Sequence, residues 1–113
     1  SISVIGGGIC GLSAALSLAK LGHDVHVYEQ ARAIGAIGAG IQISPNASKI
    51  LYRLGLAEAM ARTGVTPLWR HQRRWDDGRT LSRGPVGPQA EARYGAPSYN
   101  FHRADLIDIL AGC

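Results

Sequence analysis

Three glycines near the start of the chain, Gly6, Gly8 and Gly11, form the pattern G-x-G-x-x-G within SVIGGGICGLSAA. Each has a separate job at a phosphate. The first lets the chain turn sharply off a strand. The second removes a Cβ that would collide with a pyrophosphate, and the third lets a helix pack tightly on the sheet. The helix that follows offers unpaired N–H groups and a partial positive charge. Glu29 stands eighteen residues beyond Gly11. A carboxylate there accepts hydrogen bonds from both ribose hydroxyls of an adenosine and repels a 2′-phosphate. The chemistry is capture of the ADP half of a dinucleotide. NADP is disfavoured, while FAD and NAD stay open on the fingerprint alone.

These residues need elements to position them. Residues 2–5 read as a short buried strand. Leu12, Ala15, Leu16 and Ala19 recur at helical spacing and predict a helix from about 10 to 21, with Gly22 as its C′ residue. Residues 24–29, DVHVYE, form a second strand with Val25 and Val27 on one face. Strand, helix and strand make a βαβ unit with parallel strands and a right-handed crossover. The fold class is therefore α/β and Rossmann-like. Residues 30–43, QARAIGAIGAGIQI, read as a loop, because helices seldom tolerate so many glycines. Ser44 suits an N-cap and Pro45 a first helical position. Ile50, Leu51 and Leu54 give that helix an apolar side, Gly55 breaks it, and a further turn or two runs to Gly64. Residues 68–75 alternate, with Trp69, His71, Arg73 and Trp75 on one face. Asp77-Gly78 predicts a two-residue hairpin turn to a return strand over 79–83. Residues 84–97 read as loop, 98–102 as a short strand and 103–111 as a final helix. A nicotinamide dehydrogenase would continue with more parallel strand–helix units. The glycine-rich excursion, helix pair and antiparallel hairpin favour a flavoprotein.

The 113 residues, 46% hydrophobic and 18% charged, suit one modest folded domain and exclude a disordered composition. No apolar run approaches the roughly 18 residues that cross a bilayer. A cytoplasmic setting without a membrane partner is expected. Cys10 and Cys113 are too few for a disulfide scaffold and too widely spaced for a zinc site. No metal is expected, and Cys10 serves as a small side chain in the loop. The formal charge is +4, with ten Arg against two Lys spread along the chain, so RHQRR predicts an exposed strand and not a nucleic-acid surface. His71 is expected to pack within its strand pair, and His23, His26 and His102 carry no catalytic expectation. The chain opens without Met and stops on HRADLIDILAGC. It is expected to be the N-terminal part of a longer protein.

With residues 1–30, GAGIQISPNASKILYRLGL at 38–56 and HRADL at 102–106 taken together, the chain resembles the flavin-dependent aromatic-ring monooxygenases. The likeness is to the salicylate hydroxylase and 6-hydroxynicotinate monooxygenase group of the p-hydroxybenzoate hydroxylase family. It covers the whole chain in order, and RRWDDGRTL and YGAP sit where relatives carry similar words. The resemblance implies non-covalent FAD, hydride from NADH or NADPH, and O2-dependent hydroxylation of a monocyclic aromatic acid. It implies that Gly6, Gly8 and Gly11, with the backbone of Ile9 and Cys10, hold the pyrophosphate. Glu29 would hold the ribose, with Gln30 beside the adenosine. Gly38, Ala39 and Gly40 would let the chain lie close to the flavin, with Gln42 at a flavin-contacting position. Arg103 matches an arginine near the FAD phosphate and ribityl portion.

An Arg fork suits a pair of phosphate oxygens, and an Arg that opens a helix is disfavoured by the macrodipole unless an anion is near. The alternative is pairing with Asp105 or Asp108. The family's later Asp-Gly and Gly-Asp cofactor motifs are absent from their expected context, and Asp77-Gly78 reads as a turn. Residues 1–113 are thus expected as the N-terminal part of an FAD-binding domain, with 65–97 a hairpin and loop excursion. The substrate domain and the remaining flavin site would lie elsewhere, leaving this segment inactive alone, and the full-length protein is expected as a homodimer. Two rival readings stand beside this one. The first is a related hydroxylase or epoxidase on a polyketide or ubiquinone precursor. The second is a non-catalytic nucleotide-binding module that uses its Arg-rich hairpin for a partner.

Overall fold

The computed structural model describes residues 1–32 and 38–113; residues 33–37 of the expected loop lie outside the described residues. Strands β1 (Ile2–Ile5) and β2 (Val25–Tyr28) pair in parallel, from Ile2↔Val25 to Ile5↔Tyr28, and helix α1 (Ile9–Lys20) joins them. This is the βαβ unit expected from the sequence. Its strands alternate: Ile2, Val4, Val25 and Val27 are half-buried, while Ser3, Ile5, His26 and Tyr28 are exposed. Leu12 and Ala15 carry the buried stripe of α1. Gly22, at φ +89°, ends the helix and donates its N–H to the Ala19 carbonyl.

The stretch read as loop over 30–43 ends in a strand. Strand β3 (Gly40–Ile43) pairs antiparallel with β6 (Tyr99–His102), from Gly40↔His102 to Ile43↔Tyr99. Ile41 and Ile43 turn inward, while Gly40 and Gln42 turn out. On β6, Tyr99 and Phe101 are buried and Asn100 and His102 exposed. Glycine crowding hid a period-two pattern that the partner strand completes.

Helices α2 (Pro45–Arg53) and α3 (Ala57–Thr63) are separated at Gly55, which has φ +86°. Ser44 takes the N-cap position, but its hydroxyl donates to Asn46 Oδ1 at 2.6 Å; its carbonyl accepts from Ala47 and Ser48. Strand β4 (Trp69–Arg73) and strand β5 (Thr80–Pro85) form the antiparallel hairpin. Its turn is longer than the two residues expected. Arg74 N–H donates to the Arg79 carbonyl, and Gly78, at φ +72°, donates back to Arg74. Asp77 Oδ1 accepts from Arg79 N–H at 2.9 Å and steadies the return. The pairing then slips from Gln72↔Ser82 to Arg73↔Thr80, a bulge at Leu81.

Helix α4 (Pro88–Tyr94) replaces the loop expected over 84–97. The prolines flank this helix and do not interrupt it: Pro85 closes β5, Pro88 opens α4, and Gly95 at φ +80° caps it. Helix α5 (Arg103–Ala111) follows β6 directly.

The core joins Leu12 of α1, Ile43 of β3, Leu51 of α2, Leu56 and Met60 at α3, Tyr99 and Phe101 of β6, and Leu106, Ile107 and Leu110 of α5. Tyr52 and Tyr99 meet through their hydroxyls at 2.7 Å, and burial first, then this bond, pushes the Tyr99 phenol above its ordinary value. The hairpin stays outside this core: every residue of β4 is exposed, and all of β5 except Gly84. Its projection explains a radius of gyration of 16.5 Å, against about 13 Å for a compact chain of this length. Among the described residues no helix is long and apolar enough to cross a membrane.

Candidate functional site

The glycine loop is built from β1 outward. Gly6, at φ +105°, leaves the strand while its N–H still donates to the Tyr28 carbonyl at 2.7 Å. Gly11 is glycine for an internal reason: a Cβ there would lie 1.9 Å from the Gly6 carbonyl oxygen and 3.4 Å from Val4 Cγ1. Gly8 has no such reason. Its backbone is extended, at φ −81° and ψ −172°, and among the described residues nothing lies within 4 Å of a Cβ built on it. The bare surface at Gly8 is therefore open to a ligand.

Among the described residues no side chain caps the start of helix α1, and its first turn holds no acidic residue. Its first backbone bond runs from Leu12 N–H to the Gly8 carbonyl at 2.9 Å. The N–H groups of Ile9, Cys10 and Gly11 find no acceptor among the described residues. An anion is the partner such a terminus lacks.

Glu29 sits against this loop. Its Oε2 accepts from Gly7 N–H at 2.7 Å and its Oε1 from Ala31 N–H at 3.1 Å. The Ala31 bond, then the Gly7 bond, holds its carboxyl below the ordinary value of 4.5. It is anionic at neutral pH, and each oxygen keeps lone-pair capacity for a hydroxyl donor. Gln30 is exposed beside it. Gly7 is a site residue that the fingerprint does not mark: it is buried, and a Cβ there would come within 3.2 Å of Glu29 Cβ and Oε2. The open face at Gly8, the unsatisfied N–H groups and the fixed carboxylate suit the diphosphate and ribose of a dinucleotide.

A second cluster forms where β3 meets the start of α5. Arg103 N–H donates to the Ala39 carbonyl at 2.9 Å. A Cβ at Gly38, which has φ +135°, would lie 3.3 Å from Arg103 Cδ. Gly40 pairs with His102. The segments GAGIQ and HR, far apart in sequence, thus lie side by side. Arg103 is half-buried and makes no ion pair among the described residues; neither Asp105 nor Asp108 engages it. Helices α1 and α5, headed by the two clusters, pack on one another.

Gln42 faces outward on β3, opposite Asn100. Both line a cleft of about 400 Å³ between the β3–β6 pair and the hairpin, walled by Trp69, Arg70, His71 and Tyr99. His71 pairs within the hairpin, its Nε2 2.7 Å from Thr80 Oγ1, yet stays exposed. Trp69, Arg70 and Asn100 were not expected at a site. The alternation in LWRHQRRW and SYNFH was the signal, but which outward faces meet is a tertiary fact. Cys10 is exposed in the first turn of α1.

A parallel βαβ unit with this loop and acid defines a dinucleotide-binding, Rossmann-like protein, and residues 4–56 match the family model described as an NAD(P)-binding Rossmann-like domain. Over 105 residues the chain is 50% identical to 3-amino-4-hydroxybenzoate 2-monooxygenase of Streptomyces platensis, covering 93% of this chain and 26% of that one. Over 109 residues it is 40% identical to 6-hydroxynicotinate 3-monooxygenase of Bordetella bronchiseptica, covering 96% of this chain and 28% of that one. The crystal structure of Klebsiella pneumoniae HpxO complexed with FAD and uric acid matches with a TM-score of 0.80 and 32% identity, over 98% of this chain and 28% of that one. Over nearly its whole length the chain is similar to monooxygenases named for aromatic acids and to a structure complexed with FAD. It spans about a quarter of the length of the curated relatives it matches.

Proposed function

We propose that residues 1–113 form the FAD-binding part of a cytoplasmic monooxygenase that uses NADH or NADPH and O2 to hydroxylate a monocyclic aromatic acid. One observation carries the cofactor reading: an open Gly8 at an uncapped helix, beside a carboxylate already fixed to the loop. The N–H groups of Ile9, Cys10 and Gly11 would take diphosphate oxygens. Glu29 would accept from the ribose hydroxyls, with Gln30 at the adenosine, and its charge would repel a 2′-phosphate. The backbone of Gly38, Ala39 and Gly40 would face the flavin, with Gln42 next along the strand. Arg103 would bring positive charge to the phosphate and ribityl portion. FAD, when bound, supplies the redox chemistry.

The cleft beside Gln42 supports the substrate class. Trp69 offers an aromatic wall, and Arg70 and Asn100 offer donors to a carboxylate. About 400 Å³ suits a small ring. Both curated relatives above are named for monocyclic aromatic acids. Residues 65–97 would be the excursion that brings the hairpin to this cleft. The test is NADH or NADPH oxidation by the flavin-loaded, full-length protein with and without 4-hydroxybenzoate-type acids. Acid-stimulated oxidation with hydroxylated product is expected. Stimulation by polyketides alone would move the protein to a different substrate class.

A further inference from the structure

The outer strand of the hairpin does not line the cleft, yet it touches two residues that do. The Arg83 guanidinium carbon lies 4.2 Å from the centroid of the Trp69 ring. Thr80 Oγ1 lies 2.7 Å from His71 Nε2. Trp69 and His71 share one face of β4, and Arg83 stands opposite His71, diagonal to Trp69. The bulge at Leu81 slips the register between Ser82 and Thr80, and across that slip Thr80 meets His71.

We infer that Arg83 is a positioning residue, which holds the Trp69 indole in place as the aromatic wall of the cleft, with Thr80 steadying His71 beside it. The assignment of the cleft to an aromatic acid rests on the function proposed above; the positioning of Trp69 does not. The physical need is clear. Trp69 is 50% exposed on a hairpin with no core behind it. An isolated two-stranded hairpin is marginal, and an unsupported indole samples several rotamers. A ligand that orders the ring itself loses affinity to that ordering. A guanidinium stacked on one ring face removes rotamers in advance, and the cation strengthens the contact through the ring quadrupole. Arg83 makes no ion pair among the described residues, so no carboxylate competes for it.

The test is 19F NMR of the full-length protein labelled with 5-fluorotryptophan, with the Trp69 line assigned by its loss in Trp69→Phe. Arg83→Met keeps the aliphatic stem and removes the cation. It should shift the Trp69 line, increase its local motion and weaken 4-hydroxybenzoate binding about three-fold. Arg83→Lys should restore most of each effect, which a merely space-filling role would not predict. An Arg83→Met protein whose Trp69 line and 4-hydroxybenzoate affinity match wild type overturns the inference. A wild-type Trp69 line that 4-hydroxybenzoate leaves unmoved, while Arg83→Met moves it, upholds the positioning and removes the aromatic acid from the cleft.

Discussion

Adding one methyl group at Gly11 and one at Gly8 should produce opposite failures. At Gly11 the new Cβ would lie 1.9 Å from the Gly6 oxygen and 3.0 Å from the Gly6 carbonyl carbon. A carbon–oxygen contact settles at about 3.3 Å, so α1 must retreat from β1 by more than an ångström. That retreat drags Leu12 and Ala15 out of their buried positions and loosens α1 against β2 and α5. Overpacking costs about 1–3 kcal/mol. A backbone carbonyl cannot rotate aside, so Gly11→Ala belongs near the top, at about 3 kcal/mol. Gly8→Ala meets nothing within 4 Å among the described residues and needs no unusual dihedral. Its stability should stay within about 0.5 kcal/mol of wild type. Its methyl would stand where the proposed diphosphate approaches, so FAD affinity should fall at least ten-fold, or ~1.4 kcal/mol. Urea unfolding followed by circular dichroism measures the first quantity, and quenching of flavin fluorescence the second. Equal destabilisation by both substitutions, or wild-type FAD affinity in Gly8→Ala, would contradict these separate roles of Gly8 and Gly11.

Glu29→Gln should speed hydrogen exchange at the Gly7 and Ala31 amides and weaken ADP-ribose binding about ten-fold, since it removes charge-assisted bonds. Because the folded carboxyl sits below its ordinary 4.5, its contribution is complete above that pH and disappears as pH falls through the folded value. Protection of those amides lost well above pH 4.5 would contradict this. Gly64→Ala places a Cβ within 2.7 Å of the Phe101 ring and 2.8 Å of the Tyr99 ring. It should lower unfolding stability by about 2 kcal/mol in urea. The Ser48 hydroxyl is fully buried without a hydrogen-bond partner among the described residues, so Ser48→Ala should raise stability by about 0.5–1 kcal/mol. A loss there would show that the hydroxyl has a partner.

What was legible in the sequence was local. The βαβ unit announced itself through the Leu12–Ala15 stripe, Gly22 and the Val25/Val27 alternation. Pro45 marked the start of α2, and HRADL marked α5. Strand β3 was hidden because Gly38 and Gly40 suppress strand propensity; Ile41 and Ile43 become a strand only through Phe101 and Tyr99 across from them. Helix α4 was hidden because Pro85, Pro88 and Pro97 look like loop residues until they prove to be its borders. The site divides in the same way. Gly6, Gly8, Gly11 and Glu29 are close in sequence and carry their own spacing. The Gly7–Glu29 bond, the Arg103–Ala39 bond and the cleft between Asn100 and Trp69 join segments that only the folded chain brings together.

In the proposed function the glycine loop and Glu29 take the ADP half of FAD. Equilibrium titration of the protein with FAD, ADP-ribose and FMN tests that assignment. FMN has neither the adenosine nor the diphosphate. FAD and ADP-ribose should both bind, with FMN at least about ten-fold weaker than FAD. FMN binding as tightly as FAD, with ADP-ribose inert, would contradict it.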